Sequence, residues 1–407
     1  MKLNDNIFRA NDIRGVAFED LSQDVVFALG KALGTESIDR KQDDFIIGRD
    51  GRTSSPQLFE WLSEGVLSTG CNVTDIGIVP SPVFYHSTFN LNSSSGVVIT
   101  GSHNPADYNG FKILFNNNST SSQEIQSIKN RIKERNFLSG AGDIKSLDVV
   151  ESYVKEITND IKLNRPLNIS IDCGNGAAGV VAERIYKGLG CEVEGLFCDL
   201  NGKFPNHHPD PSKPENVEDL IKSVLKNNSE IGLAFDGDAD RLGVISPSGE
   251  MIFPDMQMII FSEHILKQNP NSKIVFDVKC SKLLEEAILK SKGTPVMSKT
   301  GHTFIKSMTR EKGAILGGEM SGHIFFNDQW HGFDDGHYSA YRLLEIMRNL
   351  EVSLSTMLSQ LPKAHSTPEL NINVEEENKF KIVKDFVNKA QFEGGSKITI
   401  DGLRVDF

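Results

Sequence analysis

Asp236, Asp238 and Asp240 alternate along Ile231-Gly232-Leu233-Ala234-Phe235-Asp236-Gly237-Asp238-Ala239-Asp240-Arg241, directly after an apolar run. Three hard oxygen donors on one tight loop suit Mg²⁺, which keeps its other positions for water or a phosphate. The spacing is not that of an EF-hand, because Arg241 stands where that loop needs glycine and Pro247 where it needs glutamate. A second stretch, Val97-Val98-Ile99-Thr100-Gly101-Ser102-His103-Asn104-Pro105, delivers Ser102 to a loop. A serine so placed serves as nucleophile or phosphate carrier if a base or metal is near, although Ser-Asn-Pro alone also makes an ordinary turn. Lys112 follows in Asn109-Gly110-Phe111-Lys112 and offers charge or a proton. A third stretch, Gly317-Gly318-Glu319-Met320-Ser321-Gly322-His323, joins a carboxylate, a hydroxyl and an imidazole. Carboxylate and hydroxyl together suit vicinal sugar hydroxyls, and an imidazolium suits a phosphate.

Arg9, Arg14, Arg49, Arg52, Lys279 and His302 are single basic candidates at loop positions. Gly174-Asn175-Gly176-Ala177-Ala178-Gly179 has the spacing of a dinucleotide fingerprint, with Asp199 near the expected acidic position. The carboxylate of Asp172 just before it opposes a pyrophosphate, so tight strand-to-helix packing is the better reading.

The elements that must position these residues recur along the chain. Short apolar runs end in an Asp and a loop at Ile46 to Gly51, Ile169 to Gly174, Leu233 to Gly237 and Ile274 to Lys279. Helical patterns lie between them, such as Gln57 to Ser68 and Val217 to Lys226. Buried strands alternating with amphipathic helices indicate α/β units, whose ligands collect at the carboxyl ends of the strands. Breaks fall near Gly140-Ala141-Gly142, Ser246-Pro247-Ser248-Gly249 and Leu361-Pro362. After Pro362 the pattern predicts a strand over Leu370 to Val374, a helical face of Phe380, Val383, Val387 and Ala390, and a hairpin about Asp401-Gly402.

The 407 residues carry 43 Lys+Arg against 55 Asp+Glu, a formal net charge of −12, with 38% apolar residues. That is the composition of a globular chain of two to four domains, and it lacks the basic run a nucleic-acid grip or an anionic-membrane anchor needs. Five scattered cysteines without CxxC spacing fit neither a disulfide framework nor a zinc site. With a polar N-terminus that carries no export signal, a cytoplasmic location is expected.

The three loops, in this order, resemble those of the α-D-phosphohexomutase family, in its bacterial phosphomannomutase/phosphoglucomutase branch. Phe8-Arg9-Ala10, Asp12-Ile13-Arg14-Gly15, Asn206 to Pro211, Asp277 to Cys280 and Gly332-Phe333-Asp334-Asp335-Gly336 extend the resemblance from residue 8 to the end. It implies three consecutive similar α/β domains with mixed sheets around a central cleft, plus an incomplete α+β C-terminal domain. The limits are 1–147 with the phosphoserine loop, 148–249 with the metal loop, 250–362 with the sugar loop, and 363–407. By the same resemblance Ser102 carries phosphate and, with Asp236, Asp238 and Asp240, holds Mg²⁺. Arg14, Arg241 and Lys112 surround the transferred group, and Lys112 and His302 move protons. Glu319 and Ser321 hold sugar hydroxyls, Lys279 and His323 help bind the phosphate that is not being transferred, and His103 and Arg9 are further substrate-binding residues. The implied reaction converts hexose 1-phosphate, mannose or glucose, reversibly to hexose 6-phosphate through a bisphosphate. The partner is a phosphosugar, and a monomer or weak dimer is expected.

Met320 favours the glucose/mannose branch over the glucosamine branch, which usually has Gln there. Two departures from the family pattern are a missing tyrosine at Asn11 and the absence, between Lys363 and Phe407, of the Arg/Ser/Thr loop that grips the distal phosphate. The latter leads to an expectation of impaired turnover and an exposed strand edge near Leu403 to Phe407. Other readings of the same loops are a phosphoglucosamine mutase, a phosphosugar or metal binder without turnover, and a haloacid-dehalogenase-type phosphatase with Asp236 as nucleophile.

Overall fold

The computed structural model describes residues 3–10, 12–159, 165–349, 353–361, 370, 372–375 and 378–407. The first α/β unit runs β1 (Ile13–Val16), α1 (Gln23–Asp39), β2 (Asp44–Arg49), α2 (Ser55–Leu67), β3 (Asn72–Ile78), α3 (Ser81–Asn90), β4 (Gly96–Ile99), β5 (Tyr108–Phe115), β6 (Asn118–Ser119), α4 (Ser122–Glu134) and β7 (Ile144–Ser146). The second contains α5 (Val150–Asn159), β8 (Asn168–Asp172), α6 (Ala182–Gly188), β9 (Glu192–Leu196), α7 (Glu218–Asn227), β10 (Ile231–Phe235), β11 (Leu242–Ile245) and β12 (Met251–Ile252). The third contains α8 (Pro254–Gln268), β13 (Lys273–Asp277), α9 (Lys282–Lys290), β14 (Thr294–Ser298), α10 (His302–Lys312), β15 (Leu316–Gly318), β16 (Ile324–Phe326) and α11 (Gly336–Asn349).

The three sheets follow the orders β1-β5-β4-β2-β3-β7 with β6 on β5, β12-β11-β10-β8-β9, and β14-β13-β15-β16. Each is mixed in the same way. A parallel core (β2 with β3 and β4, β10 with β8, β13 with β14 and β15) gives way to an antiparallel pair at β4–β5, β10–β11 and β15–β16. Helices cover both faces of the parallel part, so strands such as β4 and β10 are buried throughout and read as unbroken apolar runs.

The parallel-to-antiparallel reversal is what places the chemistry. Residues 100–107 join β4 to β5, 236–241 join β10 to β11, and 319–323 join β15 to β16. Ser102, the aspartate triad and Glu319 therefore sit on equivalent loops of three repeated units. The second and third loops pair directly through an antiparallel bridge between Arg241 and His323, and Leu242 N–H donates to Gly322 O at 3.2 Å. The first and second meet at Gly237, where an added Cβ would lie 2.3 Å from Ser102 O, so only glycine permits that approach.

Beyond α12 (Leu354–Gln360) the helix α13 (Lys379–Lys389) forms as its periodicity predicts, but Phe380, Val383 and Phe386 on it are exposed. The expected strand over Leu370 to Val374 is absent from its described residues, and Leu370 and Ile372 are exposed. A strand needs a paired neighbour, and no strand of the described residues lies beside this segment. Asn371, and with it Asn11, Pro362 and Lys363, lies outside the described residues. The hairpin is present as β17 (Ser396–Ile398) and β18 (Arg404–Asp406), with a wider turn than Asp401-Gly402 alone. It docks on the third unit, since Arg404 Nη1 donates to Val278 O (2.9 Å) and Cys280 O (2.5 Å) and Thr300 N–H to Asp401 Oδ2 (3.1 Å).

Candidate active site

Ser102 is held in a backbone conformation that L-residues rarely adopt, with φ of 48°. Its N–H donates to Thr100 Oγ1 (2.9 Å), and the loop is gripped from below by Arg52. The Arg52 guanidinium is buried and donates to four carbonyls of this loop: Ser102 O (2.7 Å) and Asn104 O (2.7 Å) through Nη2, Pro105 O (2.5 Å) and Tyr108 O (3.0 Å) through Nη1. Asp50, at the carboxyl end of β2, lies 3.2 Å from Arg52 Nε and accepts Gly101 N–H (3.2 Å) and Ser55 Oγ (2.6 Å). Burial draws the Arg52 pKa below the ordinary guanidinium value, with Asp50 opposing it.

So positioned, Ser102 Oγ donates to Asp236 Oδ2 at 2.9 Å and lies 3.2 Å from His103 Nδ1. The three loop aspartates are fully buried. Lys112 Nζ lies 2.5 Å from both Asp238 Oδ2 and Asp240 Oδ2, and Ser81 Oγ donates to Asp238 Oδ2 at 2.5 Å. Burial disfavours the Lys112 ammonium, but the Asp238 and Asp240 carboxylates outweigh it and hold the amine charged. Asp236 is pushed well above the usual carboxylate range by burial and by the neighbouring Asp240 and Asp238 charges.

Three buried carboxylates facing one another around the single Lys112 ammonium, with Arg241 at 3.9 Å from Asp236, fit a divalent cation. Carboxylate oxygens of Asp236, Asp238 and Asp240 lie within 4.8 Å of one another, and Asp238 Oδ1 and Asp240 Oδ1 are buried without a hydrogen-bond partner. An all-oxygen donor set is that of a hard cation.

The glycine run at 174–179 supports this loop. Ala177 N–H donates to Gly237 O at 2.9 Å, and an added Cβ on Gly176 would lie 2.8 Å from that oxygen. Asp172 accepts Gly174 N–H (2.8 Å) and faces His207 Nε2 (3.1 Å), so the run serves as packing.

In the third loop Glu319 Oε1 accepts Gly301 N–H (2.7 Å) and Oε2 accepts Ser321 Oγ (2.7 Å). Burial raises the Glu319 pKa, against the lowering effect of His323. Arg241 Nε is 3.0 Å from His323 Nε2 and 3.9 Å from Asp236 Oδ2, which joins this loop to the aspartate loop. His323 Nδ1 is 3.0 Å from Asp334 Oδ2, and His302 Nδ1 is 3.6 Å from the same oxygen. The two imidazoles stack at 5.3 Å. His302 begins α10, and burial together with the nearby Lys306 charge keeps its pKa well below the ordinary value.

The models for phosphoglucomutase/phosphomannomutase alpha/beta/alpha domains I, II and III match residues 5–139, 151–249 and 253–365. The phosphomannomutase/phosphoglucomutase of Pseudomonas aeruginosa is 46% identical over 402 residues, which cover 99% of this chain and 87% of that protein. The chain belongs to the phosphoglucomutase/phosphomannomutase family. A phosphoglucomutase of Neisseria gonorrhoeae is 45% identical over 99% of the chain and 88% of its own length. The crystal structure of a family protein from Burkholderia thailandensis superposes with a TM-score of 0.95 at 44% identity, covering 100% of this chain and 89% of that one. This chain is therefore a phosphohexomutase, with the three-unit fold of its relatives.

Within this family member, Ser102, His103, Lys112, Asp236, Asp238, Asp240, Arg241, His302, Glu319, Ser321 and His323 fall into one network, closed by the Arg241–Asp236 contact and by Glu319 N–H donating to His323 O at 2.9 Å. Arg14 reaches it through Asn104, donating to Oδ1 at 2.6 Å while paired with Asp12 at 2.5 Å. Lys279 is exposed two residues past Asp277, whose Oδ1 accepts Met320 N–H at 3.2 Å, so its segment abuts the Glu319 loop. Arg9 is exposed ahead of β1, and Arg49 is instead paired with Asp75 at 2.7 Å over the ring of Phe59.

Sequence reasoning assigned no role to Lys306, Asp334 or Ser81, and named Arg52 only as one loop cation. Lys306 Nζ pairs with the buried Asp334 Oδ1 at 2.7 Å. The Asp-Asp-Gly run at 334–336 was the available signal for Asp334, whereas Lys306, inside α10, and Ser81, at the start of α3, carry none. A cavity of about 870 Å³ between the first and third units, lined among others by Tyr85, Phe89, Phe304 and Lys306, holds none of Ser102, the aspartates or Glu319.

Proposed function

We propose that the chain interconverts hexose 1-phosphates and hexose 6-phosphates of the mannose and glucose series, with Ser102 as the phosphate carrier. The observation that carries this reading is the Ser102 Oγ bond to Asp236, which sets a strained, buried serine against a carboxylate triad with unpartnered oxygens. Names of relatives from Pseudomonas aeruginosa and Neisseria gonorrhoeae support the sugar series.

Asp236, Asp238, Asp240 and a Ser102 oxygen are the residues that would hold Mg²⁺. Bound there, the cation supplies positive charge against the phosphoryl group, whose transfer depends on positioning and electrostatic stabilisation. Arg241 and Arg14 supply fixed positive charge beside the Ser102 loop, and His103 lies against its hydroxyl. Lys112 is held as an ammonium and is suited to give a proton to a departing sugar oxygen. His302 is held neutral and is suited to take one from an attacking hydroxyl. Glu319 and Ser321 are preset against each other to receive adjacent sugar hydroxyls. Those hydroxyls are common to both orientations of a bisphosphate, so one loop serves both halves of the reaction. His323, Lys279 and Arg9 complete the binding of the second phosphate.

Mass spectrometry of protein treated with glucose 1,6-bisphosphate is expected to find phosphate on Ser102, and Ser102→Ala to abolish turnover of mannose 1-phosphate and glucose 1-phosphate. Phosphate on Asp236 with activity retained in Ser102→Ala would overturn the reading in favour of a phosphatase.

A further inference from the structure

His86 on α3, Glu156 on α5 and His331 on the loop between β16 and α11 meet where the three units join. They share no residue with the network around Ser102. His86 Nε2 is 2.7 Å from Glu156 Oε2, and His331 Nε2 is 2.9 Å from Glu156 Oε1. One donor atom from each lies within 4.8 Å of the others. Aromatic neighbours fix both rings. His86 stacks on Trp330 at 6.1 Å with Tyr153 edge-on at 5.4 Å, and His331 stacks on Phe89 at 4.8 Å and Phe333 at 5.9 Å.

Both imidazoles present Nε2 to the one Glu156 carboxylate. Asn90 Nδ2 donates to His86 O (3.1 Å) and lies 3.0 Å from His86 Nε2. Glu156 at 2.7 Å calls for a proton on the same nitrogen. His86 Nδ1 is buried without a hydrogen-bond partner, so an ion on Nε2 leaves the remaining ring proton facing apolar surroundings.

We propose that His86, Glu156 and His331 form a zinc-class transition-metal site that staples the three units together. Two imidazole nitrogens and a carboxylate are a donor set for Zn²⁺ or Co²⁺ and a poor one for Mg²⁺. Metal–nitrogen bonds of about 2.0–2.1 Å place tetrahedral donors roughly 3.3 Å apart, and one donor atom from each of the three residues already lies within 4.8 Å of the others. The side chains of Glu156 and His331, 37% and 28% exposed, leave a route in from solvent and a fourth position for water. The ion acts on the relative placement of the units, not on the reacting groups.

The test is a Co²⁺ titration of the full chain followed by visible absorption, with Mg²⁺ in excess to occupy the aspartate loop. The expected result is one equivalent of four-coordinate Co²⁺, displaced by Zn²⁺, with a rise in Tm. His331→Gln and Glu156→Gln are each expected to weaken binding at least about 100-fold while Mg²⁺-supported turnover stays unchanged. His331→Cys is expected to retain the ion and gain a thiolate-to-cobalt charge-transfer band. Absence of four-coordinate bands in the native protein, bands that survive His331→Gln and Glu156→Gln, or no new band in His331→Cys would each overturn the proposal. The turnover of native protein with Mg²⁺ alone is read separately, so failure here leaves the mutase reading untouched.

Discussion

Arg52→Lys is the substitution that most directly tests how the fold presents Ser102. The guanidinium spans four carbonyls of residues 102–108 with two nitrogens and keeps a third toward Asp50. It also lies 5.0 Å over the ring of Phe204, so it sits where the first and second units meet. Lysine keeps the charge but concentrates its donors on one atom, and at least two of these carbonyls lose their partner. Hydrogen bonds to a charged donor are worth ~1.5–3 kcal/mol each, so the low end of the loss is about 3 kcal/mol. At roughly 2–4 °C per kcal/mol, the first unfolding transition is expected to fall by ~6–12 °C.

The released loop no longer holds Ser102 at its positive φ against Asp236. A displacement of about 1 Å costs on the order of 10²-fold in rate, and the loss is expected in kcat. KM for the hexose phosphate should change little, because Glu319 and Ser321, the residues proposed to hold the sugar, lie on another loop. Differential scanning calorimetry and a coupled mutase assay check both. A variant that melts within 1–2 °C of the native protein (about 0.5 kcal/mol on this scale) and turns over at its rate would refute the clamp. So would a loss confined to KM.

Two further outcomes follow from buried charge. Lys112→Met leaves Asp238 and Asp240 without their counter-ion, so Tm is expected to fall sharply in EDTA, by the equivalent of ~3–5 kcal/mol, and much less with Mg²⁺ present; equal losses in both buffers would remove the argument that the ammonium and the cation share one site. Asp335 is raised by burial from 3.8 to about 7, although Tyr153 and the Tyr338 N–H donate to it. The folded state thus binds the extra proton, and its contribution is full below pH ~4 and lost as pH rises to about 7. Asp335→Asn should flatten that part of the curve of Tm against pH, and an unchanged slope would count against a protonated Asp335.

The chemistry-bearing loops were legible in the sequence because each depends on local residue type. Three aspartates at alternate positions after a buried strand, or Glu-Met-Ser-Gly-His after a glycine pair, leave few other readings. The mixed α/β units were legible for a similar reason, since apolar runs and helical faces repeat along the chain. The segment over Leu370 to Val374 shows the limit: its alternation resembles a strand, but pairing depends on a neighbour that the pattern does not specify.

By itself, then, the sequence determined the donor groups, their order and the units that carry them, because composition and periodicity are properties of short segments. Tertiary structure alone decided that the three reversals of strand direction face one another, that Arg52 props the serine loop, and that Asp334 gathers Lys306, His302 and His323. These are contacts between residues far apart in the chain. Their energies come from burial and charge pairing, which exist only once the units have packed.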